Sequence, residues 1–253
     1  MSRLRFRTKR RLKERVMKKH ALSISYVILL TLCMPLACLY MWLLTVLPVS
    51  WEAVNEWADT LPKWLFYMFV LLLPVGVYWL TVLVLGILNI ARSFNAYKSG
   101  DAVGCVNGML IHKYGLVVFF VVNFIVLVGI YLLVTLGLVM GTRGIFLVLA
   151  PFFLPWLVAA VGFTVFTTWL AIIPGAFYGI QVIRFTYREK KTSAGAAVWH
   201  GVLQFIFLAD VLDAMYLAVK KWGRGKKSSI VIAVLYTAGL SGIIWMIIKI
   251  AAL

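Results

Sequence analysis

The chain has 253 residues, 64% of them hydrophobic and only 13% charged, with a mean hydropathy of +1.00. An ordinary soluble domain is near half apolar, so this composition leaves too little polar surface to cover a water-soluble core. The formal net charge of +17 comes from 25 Lys plus Arg against 8 Asp plus Glu, and those cations flank long apolar runs, where they set topology and meet anionic lipid headgroups.

Residues 1–20 form a basic arm carrying ten Lys and Arg, among them Arg10, Arg11, Lys13, Arg15, Lys18 and Lys19, the candidate headgroup contacts. Its single aromatic, Phe6, offers no stacking platform, so nucleic acid is not expected as a partner. The apolar run that follows, Ala21 to Leu47, is too long for the about 7–15 apolar residues of a signal peptide and reads as an uncleaved first span. Crossing a hydrocarbon core of about 30 Å takes about 20 apolar residues in a helix, the one element that satisfies its own backbone there.

Four further spans follow, at about 64–90, 115–140, 145–173 and 230–253, so that residues 21–253 make one transmembrane helical domain. The fourth apolar run continues to Ile183, and Pro174-Gly175 is expected to end or kink its helix and leave 176–183 near the surface. The loop after span one holds Glu52, Glu56 and Asp59 against a single Lys63, and the loop after span three holds only Arg143. With five spans and the N-terminus inside, 22 of the 25 Lys and Arg fall on the cytoplasmic side, as the positive-inside rule requires. Lys113 is counted there as a loop cation beside Arg92 and Lys98.

Between spans lie two cytoplasmic elbows, at 93–112 and 193–221. The apolar stretch 198–219 is long enough to be a sixth span, but that would place Lys220 to Lys227 outside. An interfacial helix, or one folded back into the interface, is preferred: Phe205, Leu208, Leu212, Tyr216 and Val219 share one apolar face, with His200, Asp210 and Asp213 on the other side. Pro74-Val75-Gly76-Val77-Tyr78 and Pro174-Gly175-Ala176-Phe177-Tyr178 echo one another weakly, an internal similarity of the kind chance also produces in apolar sequence.

The candidate polar cluster is His200, Gln204, Asp210, Asp213 and, from span three, Asn123. Ionisable groups at membrane depth mark transport paths and proton relays. At an interface, however, the two acids could simply pair with Lys220, Lys221 or the arm, and that plainer reading is placed ahead. His112 and His200 with Asp101 or Asp210 lack any metal-ligand spacing, and Cys33, Cys38 and Cys105 form no CxxC pair, so no metal or cofactor is expected. Gly137/Gly141, Gly175/Gly179 and Ala238/Gly242, each four apart, suit close helix approach. There is no GxSxG, Walker-type loop or paired intramembrane carboxylate motif, so the protein is not expected to be an enzyme.

Two stretches, Lys113-Tyr114-Gly115-Leu116-Val117-Val118-Phe119-Phe120-Val121-Val122-Asn123-Phe124 and Leu203-Gln204-Phe205-Ile206-Phe207-Leu208-Ala209-Asp210-Val211-Leu212-Asp213, resemble an uncharacterised family of small polytopic membrane proteins from Gram-positive bacteria. The resemblance implies a bacterial cytoplasmic membrane and no assigned activity. The expectation is therefore an all-α polytopic bundle of five transmembrane helices, six as the alternative, in contact with membrane lipids and with another membrane protein or itself. Its expected role is a non-catalytic component of a transport, export or peptide-resistance complex. A small ion- or proton-coupled transporter or channel, and a membrane-embedded lipid-modifying enzyme, are the alternatives.

Overall fold

A computed structural model describes residues 2–46 and 63–251, and side chains from residue 20 onward with scattered gaps. The acidic loop with Glu52, Glu56 and Asp59, and the side chains of Arg10, Arg11, Lys13, Arg15, Lys18 and Lys19, lie outside the described residues. The described chain is all-helical: α1 Ser2–Val46, α2 Lys63–Lys98, α3 Ala102–Gly141, α4 Ile145–Arg188, α5 Ala194–Leu203, α6 Ala209–Tyr216 with a π-helical turn Leu217–Lys221, and α7 Lys226–Ala251. Four helices contain segments long and apolar enough to cross a membrane, His20–Val46, Leu72–Lys98, Ala102–Gly141 and Val148–Arg188. With α7 as a further long apolar helix of 26 residues, the molecule is a multi-pass membrane bundle.

At 1.5 Å per residue the 40 residues of α3 reach about 60 Å, twice the thickness of the hydrocarbon. The extra length is at the end where α2 turns into α3 and α4 into α5, here the basic end. The first elbow is accordingly not an elbow. Helix α2 runs to Lys98, Gly100 turns the chain at φ 72°, and the Asp101 carboxylate accepts the Gly104 N–H at 3.0 Å to start α3 at once. Ser193 starts α5 in the same way, its hydroxyl accepting the Ala196 N–H.

Helix α3 is central and packs against α1, α2, α4, α6 and α7. Burial is concentrated in its basic-end half. Cys105, Val106, Met109 and Leu110 meet Tyr178, Val182, Ile183 and Phe185 of α4 and Ala214, Leu217 and Ala218 of the α6 segment. One layer further in, Tyr26, Leu30, Val82, Leu116, Phe119, Ala171 and Ile172 join α1 to α4. Towards the far end the helices bury little: Leu133, Met140, Val148 and Phe152 are each more than 70% exposed. Lipid tails are as apolar as these side chains, so exposure there carries no hydrophobic penalty.

Five prolines lie inside helices, and at Pro35 a side chain of a neighbouring helix serves the backbone that the proline disturbs. Pro35 has no N–H for the Thr31 carbonyl; Asn123 of α3 donates to that carbonyl at 3.5 Å and accepts the Met34 N–H at 3.1 Å. Pro174 does not end its helix as the sequence suggests, for α4 continues to Arg188. At that turn Tyr26 of α1 donates to the Ala171 carbonyl at 3.2 Å, and Gly175 sits against His112.

Candidate functional site

The interfacial helix expected over 198–219 is two short helices with unwound chain at 204–208 between them. At 10 and 8 residues, or about 15 and 12 Å, neither is by itself long enough to cross about 30 Å of hydrocarbon. No Pro or Gly marks the break in sequence. It is held from outside, because carbonyls freed in apolar surroundings need donors. Lys113 of α3 donates to the Gln204 carbonyl at 3.1 Å, the Trp169 indole of α4 to Phe205 at 3.2 Å, and the Tyr236 hydroxyl of α7 to Leu208 at 3.1 Å. Leu208 takes φ 72° and ψ −45°, close to a γ-turn that non-glycine residues rarely adopt.

The break also decides which way α6 faces. Leu208, Leu212 and Tyr216 of the expected apolar face are 40–50% exposed, while Asp210 and Asp213 point into the bundle at 3% and 5%. The amphipathic pattern read correctly from sequence is thus turned inside out, as in a segment whose outer neighbour is lipid.

Among the described residues the acids do not pair with Lys220 or Lys221 as solvated surface charges. Asp210 binds the ammonium of Lys113 at 2.7 Å, with side chains 4% and 0% exposed. Asp213 accepts from the Gln204 side-chain amide at 2.5 Å and binds Nδ1 of His200, whose side chain is 14% exposed and stacks on Tyr216. Burial pushes both carboxyls above the usual range, with Lys113 pulling Asp210 back and His200 pulling Asp213 back. A continuous polar chain therefore runs from a partly exposed imidazole through Asp213 and Gln204 to a fully buried ion pair.

Gly179 makes room for the Gln204 amide, since a β-carbon there would collide with it, and Gly175 does the same for His112. This is the one pair of small residues, of the three read from sequence, at which both positions are packed against side chains; Gly137, Gly141 and Gly242 face open space. His112 donates through Nδ1 to the Gly108 carbonyl at 2.9 Å and stacks on Tyr178. Among the described residues, Nε2 of His112, Nε2 of Gln181 and Oε1 of Gln204 are buried without a hydrogen-bond partner.

The structure brings His200, Gln204, Asp210 and Asp213 together and leaves Asn123 apart from them, at the Pro35 turn of α1. Lys113 is the residue that sequence reasoning missed, having been counted as a loop cation. The usable signal was Asp210 itself, because a carboxylate in an apolar run demands a cation. His112 and His200 each have their own partners, and no group of three metal-binding side chains is assembled among the described residues.

The two stretches that carry the sequence resemblance meet across this ion pair, one opening with Lys113 and the other containing Gln204, Asp210 and Asp213. Comparison with curated proteins finds no match, and comparison with solved structures finds none either. Residues 23–224, which include every member of the buried network, match the family of unknown function DUF6652, and the chain belongs to that family.

Proposed function

We propose that this is a multi-pass protein of a bacterial cytoplasmic membrane, in a Gram-positive host, with its N-terminus and basic end in the cytoplasm. Its buried network, we infer, couples movement of a proton or cation to the re-entrant turn between α5 and α6. The observation that carries the reading is Lys113, 0% exposed, bound both to Asp210 and to a carbonyl of the unwound turn. A buried ion pair is weak as a device for stability, because an apolar pair of similar volume does as well or better. Ionisable groups at membrane depth, beside a broken helix, are the arrangement that transporters use to bind ions. The raised Asp213 carboxyl next to a partly exposed His200 supplies an entry for protons.

The test is flux in liposomes containing the purified full chain, under an imposed pH gradient or potassium diffusion potential, followed with a pH-sensitive dye. Wild type should dissipate the gradient and Asp210→Asn should not. Absence of flux in the wild type, or equal flux in the variant, refutes the reading.

A second reading keeps the protein as a non-catalytic component that assembles with a membrane partner or with itself. The far-end surfaces favour it: Gly129, Gly137, Gly141 and Gly162 have no neighbouring atoms within 4 Å, an open small-residue surface on α3 and α4. Mild-detergent purification tests it, and a monodisperse monomer that co-purifies nothing would remove it.

A further inference from the structure

At the basic end, away from the buried network, an open cavity of about 690 Å³ lies between α1, α3 and the turn that leads into α7. We propose that it binds a phosphate ester, as the headgroup of an anionic phospholipid or as a soluble ester of the same chemistry. His20, Asn107, Trp222, Arg224, Gly225 and Ser228 line it. None of the lining residues is acidic, and the Arg224 guanidinium has no partner among the described residues.

The turn that presents Arg224 is fixed rather than loose. Gly223 and Gly225 flank it at φ 62° and 71°, a backbone only glycine adopts freely. The Arg224 N–H is bonded to the Ala218 carbonyl at 2.8 Å, so the guanidinium projects from an anchored point. A β-carbon at Gly225 would stand 2.7 Å from the Leu110 side chain, so the turn is seated directly on α3. Trp222 is fixed by its indole N–H on the Thr186 hydroxyl at 2.9 Å. Beyond the turn, α7 opens at Lys226 behind a glycine that has no side chain to cap it, and the exposed cations Lys226 and Lys227 follow directly in the chain.

Depth and size agree with an ester of phosphate. His20 is the last residue before the first apolar run, and Ser228 the last but one before Ile230 opens the last. The cavity therefore lies at the level where hydrocarbon gives way to headgroups. Its volume falls within the about 300–1,000 Å³ usual for small-molecule sites, more than bare phosphate would fill. Planar guanidinium and amide donors suit phosphate oxygens.

Full-length protein is examined by native mass spectrometry after incorporation into nanodiscs of phosphatidylcholine with or without phosphatidylglycerol, and by calorimetric titration with glycerol 3-phosphate. The expected result is a phosphatidylglycerol adduct that Arg224→Ala weakens by about fivefold, the effect of one basic residue near the surface, and that Lys249→Ala leaves alone. Glycerol 3-phosphate binding that depends in the same way on Arg224 would identify a soluble ester as the ligand instead. Asn107→Leu, which fills the cavity from α3 without touching the turn, must also weaken whichever probe binds, and decides the matter alone if Arg224→Ala does not fold. Equal binding of both probes to wild type and to the variants, or binding of neither probe to wild type, overturns the proposal.

Discussion

Replacing Lys113 by Met removes a charge from the centre of the molecule with little change in volume. Lys113 Nζ lies 2.7 Å from Asp210 Oδ2 and 3.1 Å from the Gln204 carbonyl. At an effective dielectric of about 20, unit charges at that separation attract by about 6 kcal/mol, against which both must be desolvated. Removing one partner leaves the other charge buried and costs about 3–5 kcal/mol. The Gln204 carbonyl loses its donor as well, adding about 1 kcal/mol. For a chain of this length each kcal/mol moves Tm by about 2–4 °C, so Lys113→Met should melt roughly 10–20 °C below wild type. Tryptophan fluorescence during heating in detergent at neutral pH reads this directly. The double variant Lys113→Met/Asp210→Leu should recover to within about 1 kcal/mol of wild type or exceed it, because the apolar pair avoids the desolvation cost. The reasoning is refuted if the single variant loses less than about 1 kcal/mol, as an exposed pair would, or if the double variant is no better than the single.

Three further outcomes follow from other parts of the molecule. Asp213 is held above the usual carboxylate range by burial, against the pull of His200, Gln204 and Lys113; an acid raised in this way contributes stability that is complete below its unfolded pKa near about 4 and is lost as pH rises through the folded value. Melting temperatures taken from acid to neutral pH should therefore decline with a steeper slope in wild type than in Asp213→Asn, and identical slopes would exclude this assignment. On α3, Gly108→Ala drives a β-carbon to 2.5 Å from the Tyr178 ring and should cost about 1–3 kcal/mol, whereas Gly137→Ala meets nothing within 4 Å and should gain up to about 1 kcal/mol of helix propensity. Thermal melts of the two variants check the opposite signs, and a loss at Gly137 accompanied by a smaller particle in size-exclusion would instead mark a helix seat for a partner. Asn123→Leu should cost about 1 kcal/mol in the wild-type background and clearly less beside Pro35→Ala, where the Thr31 carbonyl regains its own helical donor; additivity in that double-mutant cycle would show that Asn123 does not serve the proline turn.

The helices and their membrane character were legible because lipid imposes length and composition directly, and the helices contain the apolar runs with extensions at the basic end. Two features were not legible. Pro174 was expected to end or kink its helix, but whether a proline ends a helix depends on what packs around that turn, and there Tyr26 of α1, 145 residues away in sequence, donates to the Ala171 carbonyl. The break at 204–208 contains no residue that forbids a helix, and its three supporting donors stand on α3, α4 and α7. A single-sequence pattern carries local preference and cannot register donors supplied from elsewhere in the fold. Four members of the polar cluster, His200, Gln204, Asp210 and Asp213, were found from their cost at membrane depth, while Lys113 was hidden by its usefulness to the charge rule. Among the 22 cations assigned to one side it is a fully buried one, so counting it as a loop cation concealed its role.

The helix break and the ion pair are one structural unit because Lys113 serves both. Its ammonium has three protons, and two of its bonds go to the Asp210 carboxylate and the Gln204 carbonyl. Gln204 in turn uses its side-chain amide to hold Asp213, which holds His200. A change of charge at either acid therefore reaches the backbone of the unwound turn through at most one intervening side chain. Leu208 holds that turn in a backbone geometry which has a lower-energy alternative. On the proposed reading, strain at 208 and charge at 210 and 213, within one six-residue stretch, would let protonation set the balance between two arrangements of the turn, which is the physical requirement for coupling ion occupancy to movement.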